Sequence, residues 1–117
     1  MRTNSPMDKA FAEMLAEERE RPAIRAAGIE ALHRLLPVAQ RDSGQSRVVG
    51  RFLLSLYNGN AFPFPLTDLR CLDTALFQDC MTLLKMDRRP EQEVHLYVEN
   101  GEAVWSEFKK YWGPRPN

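Results

Sequence analysis

Two histidines, His33 and His95, and two cysteines, Cys71 and Cys80, are the side chains of this 117-residue sequence best suited to metal binding or nucleophilic attack. Zinc sites draw donor pairs from a few residues of local backbone, as in C-x-x-C or H-x-x-x-H. Neither histidine nor cysteine belongs to such a pair, and Glu30, three residues before His33, reads as its neighbour on a helix surface. There is no G-x-S-x-G elbow to expose a serine. Asp68, Asp73 and Asp79 are near enough in sequence to suggest paired carboxylates, but Asp68 and Asp73 are placed as helix caps. Asp42-Ser43-Gly44-Gln45-Ser46 has one glycine and no lysine, so it is not a phosphate-binding loop. The expectation is a protein with no catalytic residues, no metal and no cofactor. An enzyme would require a pocket assembled by folding, bringing His33 or His95 to a cysteine or an acid.

Two segments point to binding instead. From about residue 38 to 57 a short helix, a turn and a second helix echo a DNA-reading helix-turn-helix, with Ala39 and Val49 ten residues apart at its two core positions. Gln45, Ser46, Arg47 and Arg51 would then face DNA, arginine pairing guanine or phosphate and glutamine pairing adenine. The fit is imperfect: the turn glycine is Gly44, one place late, and Pro37 interrupts the first helix. An ordinary helical hairpin with arginines on its outer face is the competing reading. The second segment is the aromatic-rich C-terminal half. Phe62, Phe64, Tyr111 and Trp112 are candidates for a protein interface, where large rings anchor partners, although rings at helical spacing commonly pack in the core. Trp112, beside Tyr111 near the tail, is the strongest candidate for an exposed anchor.

The elements that must position these residues are all helical. Ser5-Pro6-Met7-Asp8 supplies an N-cap hydroxyl, a proline at the first helical position and an acid at the third. Met7, Phe11, Met14 and Leu15 follow at helical spacing, and Pro22 predicts an end at Arg21. Pro22 then opens a second helix with Ile24, Gly28, Ala31, Leu32, Leu35 and Ala39 as its stripe, Gly28 allowing close approach of a neighbour. Pro37 predicts a kink or a short extra turn from Val38 to Asp42. A third helix carries Val49, Phe52, Leu53, Leu56 and Tyr57 and stops at Asn58-Gly59.

Thr67 or Asp68 can cap a fourth segment containing Leu69, Leu72, Leu76, Cys80 and Leu83, either whole or divided by a fresh cap at Asp73. Pro90 opens a fifth, carrying Val94, Tyr97, Trp105, Phe108 and Trp112, which Asn100-Gly101 divides. The fold class expected is all-α, a compact bundle of five or six short helices. Residues 1–117 form one domain, 5–112 its folded core and 113–117 a frayed tail.

Composition agrees with that expectation. Hydrophobic residues make up 44% and charged residues 27%, ordinary for a globular domain. Sixteen basic and sixteen acidic residues cancel, so net charge argues for neither nucleic acid nor membrane. Locally, the seven arginines between Arg19 and Arg51 outnumber Glu20, Glu30 and Asp42 by four. No secretory signal and no membrane-length apolar run is seen, which predicts a cytoplasmic protein with reduced thiols. Cys71 and Cys80 would lie on opposite faces of a shared helix, unable to pair.

Ala39-Gln40-Arg41-Asp42-Ser43-Gly44-Gln45-Ser46-Arg47 with Val49, Phe52-Leu53-Leu54 and Tyr57-Asn58, and later Phe64-Pro65-Leu66-Thr67-Asp68-Leu69 with Asp73, resembles a family of uncharacterised small proteins carried on proteobacterial plasmids and integrative conjugative elements. The similarity spans roughly residues 30 to 112 and is densest from 39 to 73. Leu56-Tyr57 stands where members often have two tryptophans, and Pro65 where they have an acid. The resemblance implies a cytoplasmic accessory protein of a mobile element and transfers no catalytic residue. The function expected is protein binding, to a host component or to a second copy as a homodimer. A DNA-binding regulator is the alternative, and a small enzyme is third.

Overall fold

The computed structural model describes residues 5–114, and among them every regular element is helical. Helix α1 spans Pro6–Ala39, α2 Gly44–Tyr57, α3 Thr74–Asp87 and α4 Gly101–Trp112, with 3-10 turns at Leu66–Cys71 and Val94–Tyr97. The fold is therefore all-α, as the stripes predict. The caps expected at Ser5 and Asp73 fall where the sequence puts them; the one expected at Thr67 or Asp68 does not, because the 3-10 turn already begins at Leu66 behind Pro65, with no side-chain cap. Ser5 and Asp8 form a reciprocal capping box, Ser43 accepts from the Ser46 amide, and Asp73 accepts from the Leu76 amide at the start of α3. Of the two readings of residues 67–87, the divided one is correct. The segment expected to open at Pro90 starts only at Val94 and ends at Tyr97, and α4 follows Asn100, whose φ of 56° is left-handed. Of the expected tail, residues 115–117 lie outside the described residues; Gly113 is extended and ends α4.

The expected break at Arg21 is wrong: the first two helices expected are one. α1 runs 34 residues straight through Pro22 and Pro37. An interior proline costs a helix about 3 kcal/mol by removing one backbone bond and crowding the preceding turn. Both prolines lie on the exposed side of α1, as do Glu18 and His33, the residues whose carbonyls lose their donors. Carbonyls on that side turn outward to water, and burial of Leu32, Leu35, Leu36 and Ala39 holds the helix beyond them.

α3 lies antiparallel on the C-terminal half of α1: Gly28 meets Met86 near one end of the contact, and Arg34 bonds Asp79 further along it. A Cβ added to Gly28 would sit 2.5 Å from the Met86 Cβ, so a residue without a side chain is needed for that approach. α2 and α4 close the other side of the core. Trp105 is 1% exposed and packs edge-on to Phe108 at 5.3 Å, its ring N–H donating to the Leu53 carbonyl at 3.1 Å.

The turn into α4 leaves no room at Gly101, where a Cβ would overlap the backbone carbonyl of His95. Gly101→Ala should cost about 1–3 kcal/mol or more, because the obstacle is main chain rather than a movable side chain. Gly44→Ala is the control: nothing lies within 4 Å of its added methyl. Chemical denaturation of the two variants should show a clear loss for the first and none for the second.

Asp87, half-buried at the end of α3, has its carboxyl pushed up to about 6 by burial, with Glu93 adding repulsion, from an ordinary value of 3.8. The folded chain therefore binds the Asp87 proton more tightly than the unfolded chain. That contribution to stability is fully present below pH 3.8 and is lost as pH rises through about 6. Asp87→Asn should raise Tm at pH 8 and lose that advantage by pH 4; an equal gain at both values would contradict the assignment.

Candidate functional surface

The four residues expected to face DNA do not form one exposed face. Ser46 is wholly buried, its backbone N–H and hydroxyl both bonded to the Ser43 hydroxyl oxygen at 3.0 and 2.7 Å. The Gln45 side-chain oxygen accepts from the Asp73 amide at 2.7 Å, tying the start of α2 to the start of α3. Arg51 is half-buried and points its Nε at the Trp112 carbonyl, 3.4 Å away. Arg47 alone of the four is exposed. The segment is a structural junction, because α2 presents that side to α3 and α4 instead of to solvent.

The expected aromatic interface is mostly taken up by packing as well. Phe62 and Phe64 are half-buried against the core, Phe64 edge-on to Phe52 at 5.6 Å. Trp112, expected as the exposed anchor, donates its ring N–H to the Ala39 carbonyl at 2.8 Å and fills the space a Gly50 side chain would occupy. It joins the end of α4 to the end of α1. Only Tyr111 of these four is exposed, at 64%.

The histidines and cysteines remain apart. His33 is exposed and bonds the Ile29 carbonyl at 2.8 Å, not Glu30. His95 is buried beneath Tyr57 and Trp105, with Nε2 3.0 Å from Glu102. Burial and Asp79 push the Cys80 thiol up to about 12, which removes it as a thiolate nucleophile. Cys71 is exposed, and among the described residues no three potential ligands cluster for a metal. No helix there is long and apolar enough to cross a membrane.

The surface that does stand out was spelled in the first helix. α1 buries its C-terminal half, but its N-terminal turns project from the bundle, giving the molecule extents of 65 × 30 × 28 Å. Met7, Phe11, Met14 and Leu15 form one strip along this arm, exposed at 80, 57, 44 and 41%. Each stands 21 residues before a member of the buried face: Gly28, Leu32, Leu35 and Leu36. Three heptads separate the two sets, a drift of only about 60° on a straight helix. The arm thus carries a second copy of the packing spacing that α3 covers further along.

The strip is bounded by charge. Asp8 flanks its first turn and Glu18 follows its last apolar residue on the same side. Across Pro6–Glu20 five carboxylates (Asp8, Glu13, Glu17, Glu18, Glu20) stand against Lys9 and Arg19, a net charge of −3. Glu17 reaches back to the bundle, lying 3.4 Å from Arg88 and 3.0 Å from Arg89. Sequence periodicity alone could reveal the strip. It could not reveal that, among the described residues, none folds over it.

No curated protein and no solved structure matches the chain. One family does match, over residues 29–113, a stretch that contains α2, α3 and α4 and begins inside α1, leaving the arm outside it. That stretch is well over half of the sequence, and the chain belongs to the family described as Family of unknown function (DUF7673).

Proposed function

We propose that this protein works by binding another protein, and that the arm of α1 is the element it inserts into its partner. The observation that carries this reading is the uncovered strip of Met7, Phe11, Met14 and Leu15 on a projecting helix. Anchors at i, i+4, i+7 and i+8 are the pattern of a helix laid into an apolar groove. The acidic surroundings select the partner: an apolar groove edged by lysine or arginine, so that Asp8 and Glu18 meet cations. A second copy of the arm fits less well. Two arms laid strip to strip would each bring a net charge of −3 to the pair, and like charges repel. The resemblance to proteins of plasmids and conjugative elements supports a role as an accessory protein of such an element, acting on a host component.

The test is paired capture from a bacterial host, comparing the wild-type protein with Phe11→Glu/Met14→Glu and with Tyr111→Ala. A specific partner should be lost with the arm variant and kept with the Tyr111 variant. The captured protein, once purified, should bind the wild type in a salt-sensitive way. Light scattering of the wild type should show a monomer; a dimer abolished by the arm variant would identify a second copy as the occupant instead.

A further inference from the structure

The arm joins the bundle through a helical turn that lacks one backbone bond. Pro22 lies inside α1 without an N–H, so the Glu18 carbonyl one turn earlier has no backbone donor. Interior prolines are where helices bend. Packing does little to stiffen this turn. Ile24 is the first hydrophobic residue of α1 that packs against the core. An open cleft of about 130 Å³ lies beside the turn, with Glu20 and Arg21 on one wall and Met86 and Tyr97 on the other.

On the far side of Pro22 the arm is held at one point. Among the described residues from Pro6 to Glu20, Glu17 alone is half-buried. Its two carboxylate oxygens go to different arginines, Oε1 lying 3.4 Å from Arg88 and Oε2 3.0 Å from Arg89. Both arginines are fixed by the last turn of α3, where the Arg88 N–H donates to the Leu84 carbonyl and the Arg89 N–H to the Met86 carbonyl. The ion pair between Arg21 and Glu18 stays on the arm's side of Pro22 and ties nothing across it.

We propose that the arm swings about Pro22 and that Glu17 is the latch that holds it at a fixed angle to the bundle. Closed, the latch sets the direction in which Met7, Phe11, Met14 and Leu15 are presented, which lowers the ordering cost of any docking there. Ion pairs this exposed are weak and screened by salt, as a releasable latch has to be. The inference concerns the free chain and does not depend on the strip's having a partner protein.

Pulsed electron paramagnetic resonance reads the angle. Spin labels go at Ala12→Cys on the arm and Gln78→Cys on α3, with Cys71→Ser removing the exposed native thiol. Arg34 stands level with Asp79, so the labels lie roughly 33 Å apart along α1. With the latch intact one narrow distance distribution is expected. Glu17→Gln should broaden it, raising the population away from the main distance about 2- to 5-fold. Sodium chloride at about 1 M should do the same to the wild-type latch. Pro22→Ala returns a donor to the Glu18 carbonyl, and added to Glu17→Gln it should narrow the distribution again. Glu13 makes no ion pair among the described residues, so Glu13→Gln should change nothing.

A distribution of equal width with and without Glu17 would show that this carboxylate holds nothing. One that stayed broad when Pro22→Ala was added to Glu17→Gln would place the motion somewhere other than Pro22. Either result overturns the proposal.

Discussion

Trp105→Ala should destabilise the fold by about 3–5 kcal/mol, the range for truncating a fully buried tryptophan. Three losses coincide there. The ring is 1% exposed, so its whole area leaves an apolar environment. Its edge-on contact with Phe108 disappears, together with the tilted approach to His95 at 6.4 Å. The bond from Nε1 to the Leu53 carbonyl goes too, and with it a tie between α4 and α2. Small domains have about 5–15 kcal/mol of stability in all, so the variant should sit close to unfolding at 37 °C. Urea denaturation followed by far-ultraviolet circular dichroism measures the loss. Trp105→Phe should recover part of it by filling the volume without the N–H. A loss below about 1.5 kcal/mol for the alanine variant would mean that the neighbouring rings collapse into the space.

What the sequence made legible follows from how far each signal reaches. Ser5, Ser43 and Asp73 act on amides three residues away, so their caps could be read without knowing the fold. The stripes of α2, α3 and α4 were legible for the same reason. Pro22 was misread because its cost depends on which way its turn of helix faces, and only tertiary packing decides that. Gln45, Ser46 and Arg51 looked like a reading head until Asp73, Ser43 and Trp112 came to them. Two of those three partners are 28 and 61 residues away in sequence. The stacking of Arg25 on the Tyr97 ring, 5.5 Å away, has the same property. Arg25 and Tyr97 belong to distant segments, and nothing local announces that their polar atoms will be buried together.

The arm is the opposite case, a strip plain in the sequence whose meaning depended on the absence of a cover. Phe11→Glu/Met14→Glu should weaken partner binding by more than about 100-fold. Central apolar anchors of an interface are each worth about 2 kcal/mol or more when truncated, and a buried carboxylate adds its own desolvation cost. The same pair should leave folding untouched, because both side chains are already exposed and surface substitutions stay within about 0.5 kcal/mol. That separation gives the experiment its force. In the core, Leu32 and Leu35 occupy the same helical register three heptads later, and Leu32→Glu should unfold the protein whether or not a partner exists. If the arm variant kept both its fold and full affinity for the captured partner, the strip would not be the docking element. The exposed Tyr111 on α4 would then be the next surface to test.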